Sequence, residues 1–381
     1  MVSRAIDLQK TKVAIYGLTT EGYGIASRMV EKASVTIVDE TLQMAMDLNP
    51  AIVKANRSLQ ELVGGESLMG LKPVSQVLTE ARVVFFTPKL RKTGDESVIE
   101  ASSKMREVAR SLTKGTTVVN GLPVGVGGNG DNVSVIEKQT GLKVGEGLNY
   151  GYSPIRPGGG VTEVALLTRI KDQEGLEELG LRTTYGNITE MELEYASSVL
   201  NESTSVATEI ELMRKAKGLK PAGGKGVERY IDDLASHVYD LTAIQASEDV
   251  GEPLTYLAGA AIKSLDNHVR YIVDETRDLL RELQLKASRT RVLVAWTLDR
   301  YEMRADRAKT AEALVERLRD YVTDVKQAQK SGGREEAIEP YKHNIAIVCS
   351  QADLEWMKGL KTGSRSSELS IMKATAALQR A

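Results

Sequence analysis

Short runs of β-branched residues alternate with helical stretches along the first half of the chain, and this alternation limits the folds it can adopt. The strand-like runs are KVAIYG (12–17), VTIVD (35–39), RVVFFT (82–87) and TTVV (116–119). Apolar residues recur at helical spacing between them, at 21–31 and 95–112. Strands that alternate with helices build a parallel sheet through right-handed crossovers. We therefore predict the α/β class, with an N-terminal Rossmann-like sheet.

The chain changes character twice after this region. Helical patterns come first, at 189–217, 227–246 and 254–285, and α/β character then returns with RVLVAW (291–296), a helix at 308–322 and NIAIVC (344–349). A chain of 381 residues is too long for one ordinary core. We expect a Rossmann-like domain at 1–186, a central helical domain at 187–288 and a smaller C-terminal Rossmann-like domain at 289–381.

Several local signals refine this outline. Thr189 and Glu192 have the spacing of a capping box at the start of the long helix. The stretch GVGGNG at 125–130 lacks the Lys and Ser or Thr of a phosphate-binding P-loop, and it is expected to be a mobile loop. Residues 326–339 are polar and contain glycine, which predicts a surface loop.

Composition narrows the function classes. The chain carries 50 basic and 52 acidic residues with no strongly basic domain, which argues against nucleic-acid binding. Cys349 is the single cysteine, so intramolecular disulfides and multi-cysteine metal sites are excluded, and we expect a buried structural thiol. The first residues lack the apolar run of a secretion signal, and no run has the length and apolarity of a membrane helix, so we expect neither. We expect a soluble cytoplasmic protein.

The strongest motif follows the first predicted strand. Gly17 and Gly22 match the first and last positions of the Gly-x-Gly-x-x-Gly dinucleotide fingerprint, in which a tight turn leads into a helix. Thr19 occupies the middle position, where a side chain would crowd a bound diphosphate. Asp39 ends the second strand, where an acid hydrogen-bonds a ribose and repels the 2′-phosphate of NADP. The pattern predicts NAD, and the alternative is a tight turn that binds nothing.

A second, weaker constellation lies in the helical middle. Asp233 and His237 are four residues apart and would share a helix face, as half of a metal or acid–base site would. Two ligands without a third rarely hold a metal, so a solvated or capping pair is the favoured interpretation. We predict no metal site.

The order of segments resembles the UDP-glucose/GDP-mannose dehydrogenase family over about residues 12–350. The local matches are VAIYGLTTEGYG (13–24), Asp39 followed by Leu48 and Asn49, FFTP (85–88) followed by Asp95, LPVGV (122–126), YSPIRPG (152–158), the helix at 192–213, and RVLVAW with Arg307 further on. The resemblance implies an NAD-binding domain, a central helical dimerisation region and a third domain that helps to hold a nucleotide sugar. It also implies cofactor contacts at Thr87 and Pro88, and substrate contacts at Arg156, Arg300 and Arg307, with interdomain salt bridges as the alternative for Arg156 and Arg307.

The residues that carry this family's chemistry do not match. The family oxidises a primary alcohol to a carboxylate, which requires a thiolate to capture the aldehyde and a lysine beside the oxyanion. Gly226 stands where the cysteine is expected and Ile155 where a glutamate is expected. Gly121 and Leu122 replace a serine and a threonine, and the helix lysines fall near Glu194 and Thr204.

Three hypotheses follow from these observations. The first is a noncatalytic or repurposed member of the family that binds a nucleotide, a nucleotide sugar or a protein partner. The second is an NAD-dependent oxidoreductase that carries out a simpler two-electron alcohol oxidation. The third is a structural homodimer without a small ligand. We expect a homodimer through the central helices in any of these cases.

Overall fold

The computed structural model describes residues 10–40, 73–168, 174–216, 228–248, 251–330, 342–362 and 369–378. The chain divides into two compact units. The first contains Met1–Ala196 and Tyr301–Arg304, and the second contains Ser197–Arg300 and Ala305–Ala381. The division into three domains drawn from the sequence stays a prediction.

The first unit is built on a seven-stranded sheet. Its strands are β1 (Lys12–Tyr16), β2 (Ser34–Val38), β3 (Val83–Phe86), β4 (Thr117–Asn120), β5 (Asn149–Tyr152), β6 (Glu163–Leu166) and β7 (Arg182–Tyr185). They lie in the order β2-β1-β3-β4-β5-β6-β7, and only the β5–β6 pair among them is antiparallel. This is a mostly parallel sheet with the strand order that crossover connections produce. The predicted α/β class is confirmed.

Helices connect these strands. They are α1 (Thr20–Met29), α2 (Val74–Glu80), α3 (Asp95–Ala109), α4 (Gly128–Thr140), α5 (Glu174–Glu178) and the start of α6 (Ile188–Lys215), which continues into the second unit. β3 and β4 are buried along their whole length, so neither strand alternates apolar and polar residues. Ile25 and Met29 of α1 pack with Val13, Ile15 and Phe85 in one apolar core.

The second unit contains a smaller, fully parallel sheet in the order β11-β10-β8-β9. Its strands are β8 (Thr290–Ala295), β9 (Asp324–Ala328), β10 (His343–Val348) and β11 (Leu369–Lys373). Its helices, after α6, are α7 (Ile231–Ala235), α8 (Val238–Ser247), α9 (Pro253–Glu282), α10 (Asp306–Arg319) and α11 (Gln351–Thr362). β8 and β10 match the two strands predicted in this region.

Two loop predictions are wrong over part of their length. The stretch at 125–130 is not a loop throughout, because α4 begins inside it at Gly128, after Gly127 in the left-handed conformation at φ +82°. The predicted loop at 326–339 overlaps β9, which is polar because it lies at the sheet edge and buries only part of its length. Residues 331–339 lie outside the described part.

The helix predicted at 227–246 is two shorter helices, α7 and α8.

Candidate functional site

The glycine turn brings α1 against the carboxyl end of β3. Gly17 has φ +123°, and a Cβ atom there would clash with the carbonyl oxygen of Thr87. A Cβ atom on Gly22 would lie 2.8 Å from the carbonyl oxygen of Gly17 and 2.9 Å from Oγ1 of Thr87. Both glycines are therefore required for the close approach of helix to strand, which is the structural role that the fingerprint assigns to them.

Thr19 is the N-cap residue of α1. Its Oγ1 accepts a hydrogen bond from the backbone N–H of Gly22 at 3.0 Å and donates one to the carbonyl oxygen of Thr87 at 3.2 Å. The side chain is fully buried. It therefore faces the turn itself and uses a backbone donor that an anion would otherwise contact.

The other predicted cofactor residues lie beside this turn. Thr87 and Pro88 are buried directly after β3, and Oγ1 of Thr87 donates to the carbonyl oxygen of Tyr16 at 3.3 Å. Asp39 follows β2 and is half-buried, and its Oδ2 accepts a hydrogen bond from the N–H of Leu18 at 3.2 Å. The fold thus brings together all the residues that the sequence nominated for the cofactor.

A distant segment also reaches the turn. Tyr301–Arg304, hereafter the strap, belongs to the first unit. The carbonyl oxygen of Tyr301 accepts a hydrogen bond from the N–H of Thr20 at 2.8 Å. The N–H of Met303 donates to Oε2 of Glu21 at 3.1 Å, and the carbonyl oxygen of Met303 accepts from the N–H of Leu90 at 2.7 Å. Met303 is fully buried in the core of the unit.

Charged side chains anchor the strap on both sides. Nη2 of Arg304 lies 2.8 Å from the carbonyl oxygen of Ile155 and 3.3 Å from the hydroxyl oxygen of Tyr195. Glu21 is 1% exposed, and burial raises the pKa of its carboxyl group, opposed by backbone hydrogen bonds and by the positive charge of Arg304. Glu21, Met303 and Arg304 were not nominated from the sequence, because nothing in it indicates that residue 303 returns to the first helix.

Five backbone N–H groups at the N-terminus of α1 are consequently in use. The N–H groups of Leu18, Thr20 and Gly22 donate to Asp39, Tyr301 and Thr19, respectively. Those of Thr19 and Tyr23 donate to the carbonyl oxygens of Gly17 and Thr19. A helix N-terminus binds anions through such groups. In this arrangement the protein's own atoms satisfy them.

The N-terminus of α4, the helix that follows β4, is also satisfied internally. Glu192 of α6 is buried, and its carboxylate accepts from the N–H of Gly127 at 2.9 Å and from the N–H and Nδ2 of Asn129 at 3.0 and 2.7 Å. The carboxylate therefore caps α4. The predicted capping box is wrong. The helix α6 begins at Ile188, so Thr189 lies inside it and is not its N-cap residue, and Glu192 caps α4 instead.

The three predicted substrate arginines lie in different surroundings. Arg156 is exposed in the first unit, and Arg300 is exposed in the second. Nε and Nη2 of Arg307 lie 2.7 and 2.6 Å from Oδ1 of Asp232, an oxygen that also accepts a hydrogen bond from Nε1 of Trp296 at 2.6 Å. This ion pair lies within the second unit. Substrate contacts of all three arginines stay predictions.

The second unit contains a cavity of about 500 Å³. Its walls include Glu202, Arg229, Asp233 and His237. Asp233 lies in α7 and accepts from the N–H of Tyr230 at 2.7 Å, while His237 precedes α8 with its Nε2 3.2 Å from Oε2 of Glu202. The two residues do not share a helix. Within the described ranges, no three His, Cys, Asp or Glu residues are placed to hold a metal ion.

Cys349 follows β10 and is fully buried. Burial raises the pKa of its thiol well above the usual value, and the nearby Asp232 and Asp353 act in the same direction. A thiol held in this state is a poor nucleophile. The predicted buried structural thiol is confirmed. Gly226, at the position of the family's cysteine, lies outside the described residues.

No protein-family model and no curated protein sequence matches this chain. Solved structures do match its fold along almost the whole length. UDP-D-ManNAc dehydrogenase from Pyrococcus horikoshii is 15% identical, with 96% of each chain covered and a TM-score of 0.61. UDP-glucose dehydrogenase from Pyrobaculum islandicum is 15% identical, with 98% of this chain and 96% of the other covered and a TM-score of 0.59.

UDP-N-acetyl-mannosamine dehydrogenase from S. aureus is similar in fold as well, with 12% identity, a TM-score of 0.59, and 97% of this chain and 96% of the other covered. The chain therefore has the fold of nucleotide-sugar dehydrogenases. Identities this low establish the fold and leave the activity to be argued from the site. In the part of the chain that the structure describes, no helix combines the length and apolarity needed to cross a membrane.

Proposed function

We propose that this protein binds NAD at the carboxyl edge of the first unit's sheet and does not convert nucleotide sugars to acids. One observation carries the first half of the proposal. Gly17, Gly22 and Asp39 stand at the positions and in the packing that a dinucleotide-binding strand–turn–helix requires, with the carboxylate at the end of β2 beside the turn. The likeness in fold to nucleotide-sugar dehydrogenases supports the same ligand class.

The second half rests on chemistry. Acid formation passes through a thiohemiacetal and a thioester, which only a placed thiolate can form. Gly226 has no side chain, and Cys349 is buried with a raised thiol pKa. Ile155, where the family has glutamate, is buried in the apolar core. The described residues therefore supply neither the nucleophile nor that glutamate.

Calorimetric titration with NAD and NADP tests the cofactor. NAD is expected to bind more tightly, because the Asp39 carboxylate repels a 2′-phosphate. Asp39→Asn, which keeps a side-chain oxygen for the N–H of Leu18, should narrow the difference between the two cofactors. Equal or tighter binding of NADP by the unaltered protein would contradict the assignment. No binding of either cofactor or of a nucleotide sugar would favour a purely structural protein.

Turnover provides the second test. NADH formation at 340 nm with UDP-glucose and GDP-mannose, followed by mass analysis, should detect no sugar acid. Loss of an oxyanion partner alone typically lowers a rate by about 10²–10³, and loss of the nucleophile should end acid formation. Two NADH per sugar with a uronic acid product would refute the proposal. One NADH per substrate would instead indicate a two-electron alcohol oxidation on the same scaffold.

A further inference from the structure

The strap occupies the position at which a diphosphate would meet α1. In a dinucleotide-binding turn the diphosphate lies against the first N–H groups of the helix. Here the N–H of Thr20, the first residue of α1, donates to the carbonyl oxygen of Tyr301 at 2.8 Å. One N–H group cannot make a full hydrogen bond to the strap and to a ligand at the same time.

The charges around α1 also favour the strap over a bound diphosphate. Glu21 is buried one residue into α1, and its carboxylate accepts the N–H of Met303. A negative charge in the first helical turn interacts favourably with the helix dipole, and it repels an anion that would bind at the same N-terminus. Arg304 offsets this charge while it holds the strap to Ile155 and Tyr195.

We propose that the Tyr301–Arg304 strap is an internal occupant of the diphosphate site, so that dinucleotide binding and strap docking exclude each other. The proposal rests on the proposed NAD binding and adds its regulation. NAD binds only the fraction of molecules whose strap has left α1, and its apparent affinity falls by that fraction. Any change that loosens the strap should therefore tighten NAD binding.

The substitution Arg304→Met tests this proposal, because competition by the strap and simple electrostatics predict opposite changes in NAD affinity. Removing a cation near an anion site should weaken NAD binding on electrostatic grounds alone. If the strap competes with NAD, losing its anchor should instead strengthen binding, by about tenfold or more where docking is dominant. Tyr301→Ala is the milder second variant, because its ring is half-exposed beneath Nζ of Lys89 and the substitution changes no charge. Arg106→Met, an exposed cation of α3, is the matched control and should leave affinity unchanged.

Hydrogen exchange on the unaltered protein reports the strap directly. The N–H of Leu90 donates to the carbonyl oxygen of Met303 in the strap, and the N–H of Met303 donates to Glu21. Both N–H groups should therefore be protected from exchange without ligand and lose this protection when NAD saturates the protein. NAD binding with both amides still protected, or weaker binding by Arg304→Met and Tyr301→Ala, would overturn the strap proposal and leave NAD binding standing. No NAD binding by any of these proteins would overturn both proposals.

Discussion

At the residue scale, the dinucleotide turn shows how one hydroxyl changes what a motif can do. Thr19 stands where the fingerprint has its middle glycine. Its Oγ1 accepts a hydrogen bond from the N–H of Gly22 and donates one to the carbonyl oxygen of Thr87. The sequence predicted a side chain that crowds the ligand. The structure places that side chain inside the turn, where it withdraws a donor from the ligand. The glycines at 17 and 22 were predictable, because only glycine fits where backbone atoms approach this closely.

A second residue-scale consequence concerns His268 of α9. Its ring is fully buried, and burial lowers its pKa from 6.5 to about 4. A hydrogen bond with the backbone of Ala374 opposes this shift, and the charge of Arg214 adds to it. The unfolded chain takes up a proton as the pH falls through 6.5, whereas the folded protein does so only near pH 4. Folding stability should therefore fall by about 3 kcal/mol between pH 6.5 and 4 from this group alone.

Urea unfolding at pH 7, 5.5 and 4 measures this effect. His268→Leu, which has no titrating group, should lack this part of the acid sensitivity. His343→Gln, at a half-exposed histidine, is the control and should keep it. If His268→Leu loses as much stability as the unaltered protein over this range, the assignment of the effect to His268 is wrong.

At the element scale, α4 is held by a carboxylate from another helix. Glu192 accepts three hydrogen bonds at its N-terminus, from Gly127 and Asn129. Glutamine has one acceptor oxygen where the carboxylate has two, and it carries no charge to meet the helix dipole. Glu192→Gln should therefore cost about 1–3 kcal/mol of unfolding free energy, as expected for a buried, charge-assisted interaction.

Denaturant titration of Glu192→Gln, with hydrogen exchange across residues 127–132, checks this role. The exposed Glu194 lies on the same helix and gives the matched control, Glu194→Gln, which should change stability by less than about 0.5 kcal/mol. Equal effects of the two substitutions would show that the carboxylate does not stabilise α4.

At the scale of the whole molecule, a homodimer through the central helices remains our prediction. The expected interface rests on the apolar residues of the long helix, namely Met191, Tyr195, Val199, Val206 and Ile210. Met191 is half-buried, and the other four are buried within the single chain. Other apolar residues of the central helices are exposed, namely Leu212 of α6 at 61% and Tyr256 and Leu257 of α9 at 66% and 48%. Single exposed apolar side chains are also common on monomer surfaces, so the dimer stays a prediction that rests on the family resemblance, and Leu212 provides its test.

Light scattering at micromolar concentration should give the mass of two chains. Leu212→Glu should shift that mass toward one chain, because an interface does not bury an unpaired carboxylate without a large cost. Ile99→Glu, at an equally exposed apolar position on α3, should leave the mass unchanged. A single-chain mass for the unaltered protein at this concentration would refute the dimer.

The sequence by itself determined the α/β class, the parallel strands and the glycine turn, because each depends on local periodicity or on steric limits at single positions. It also determined that Cys349 is a buried thiol, since this residue ends an apolar strand. Only the tertiary structure decided that the strap lies on α1 and that Glu192 caps α4. Those contacts join residues 63 to 282 positions apart, and no local pattern records which distant group satisfies a given donor.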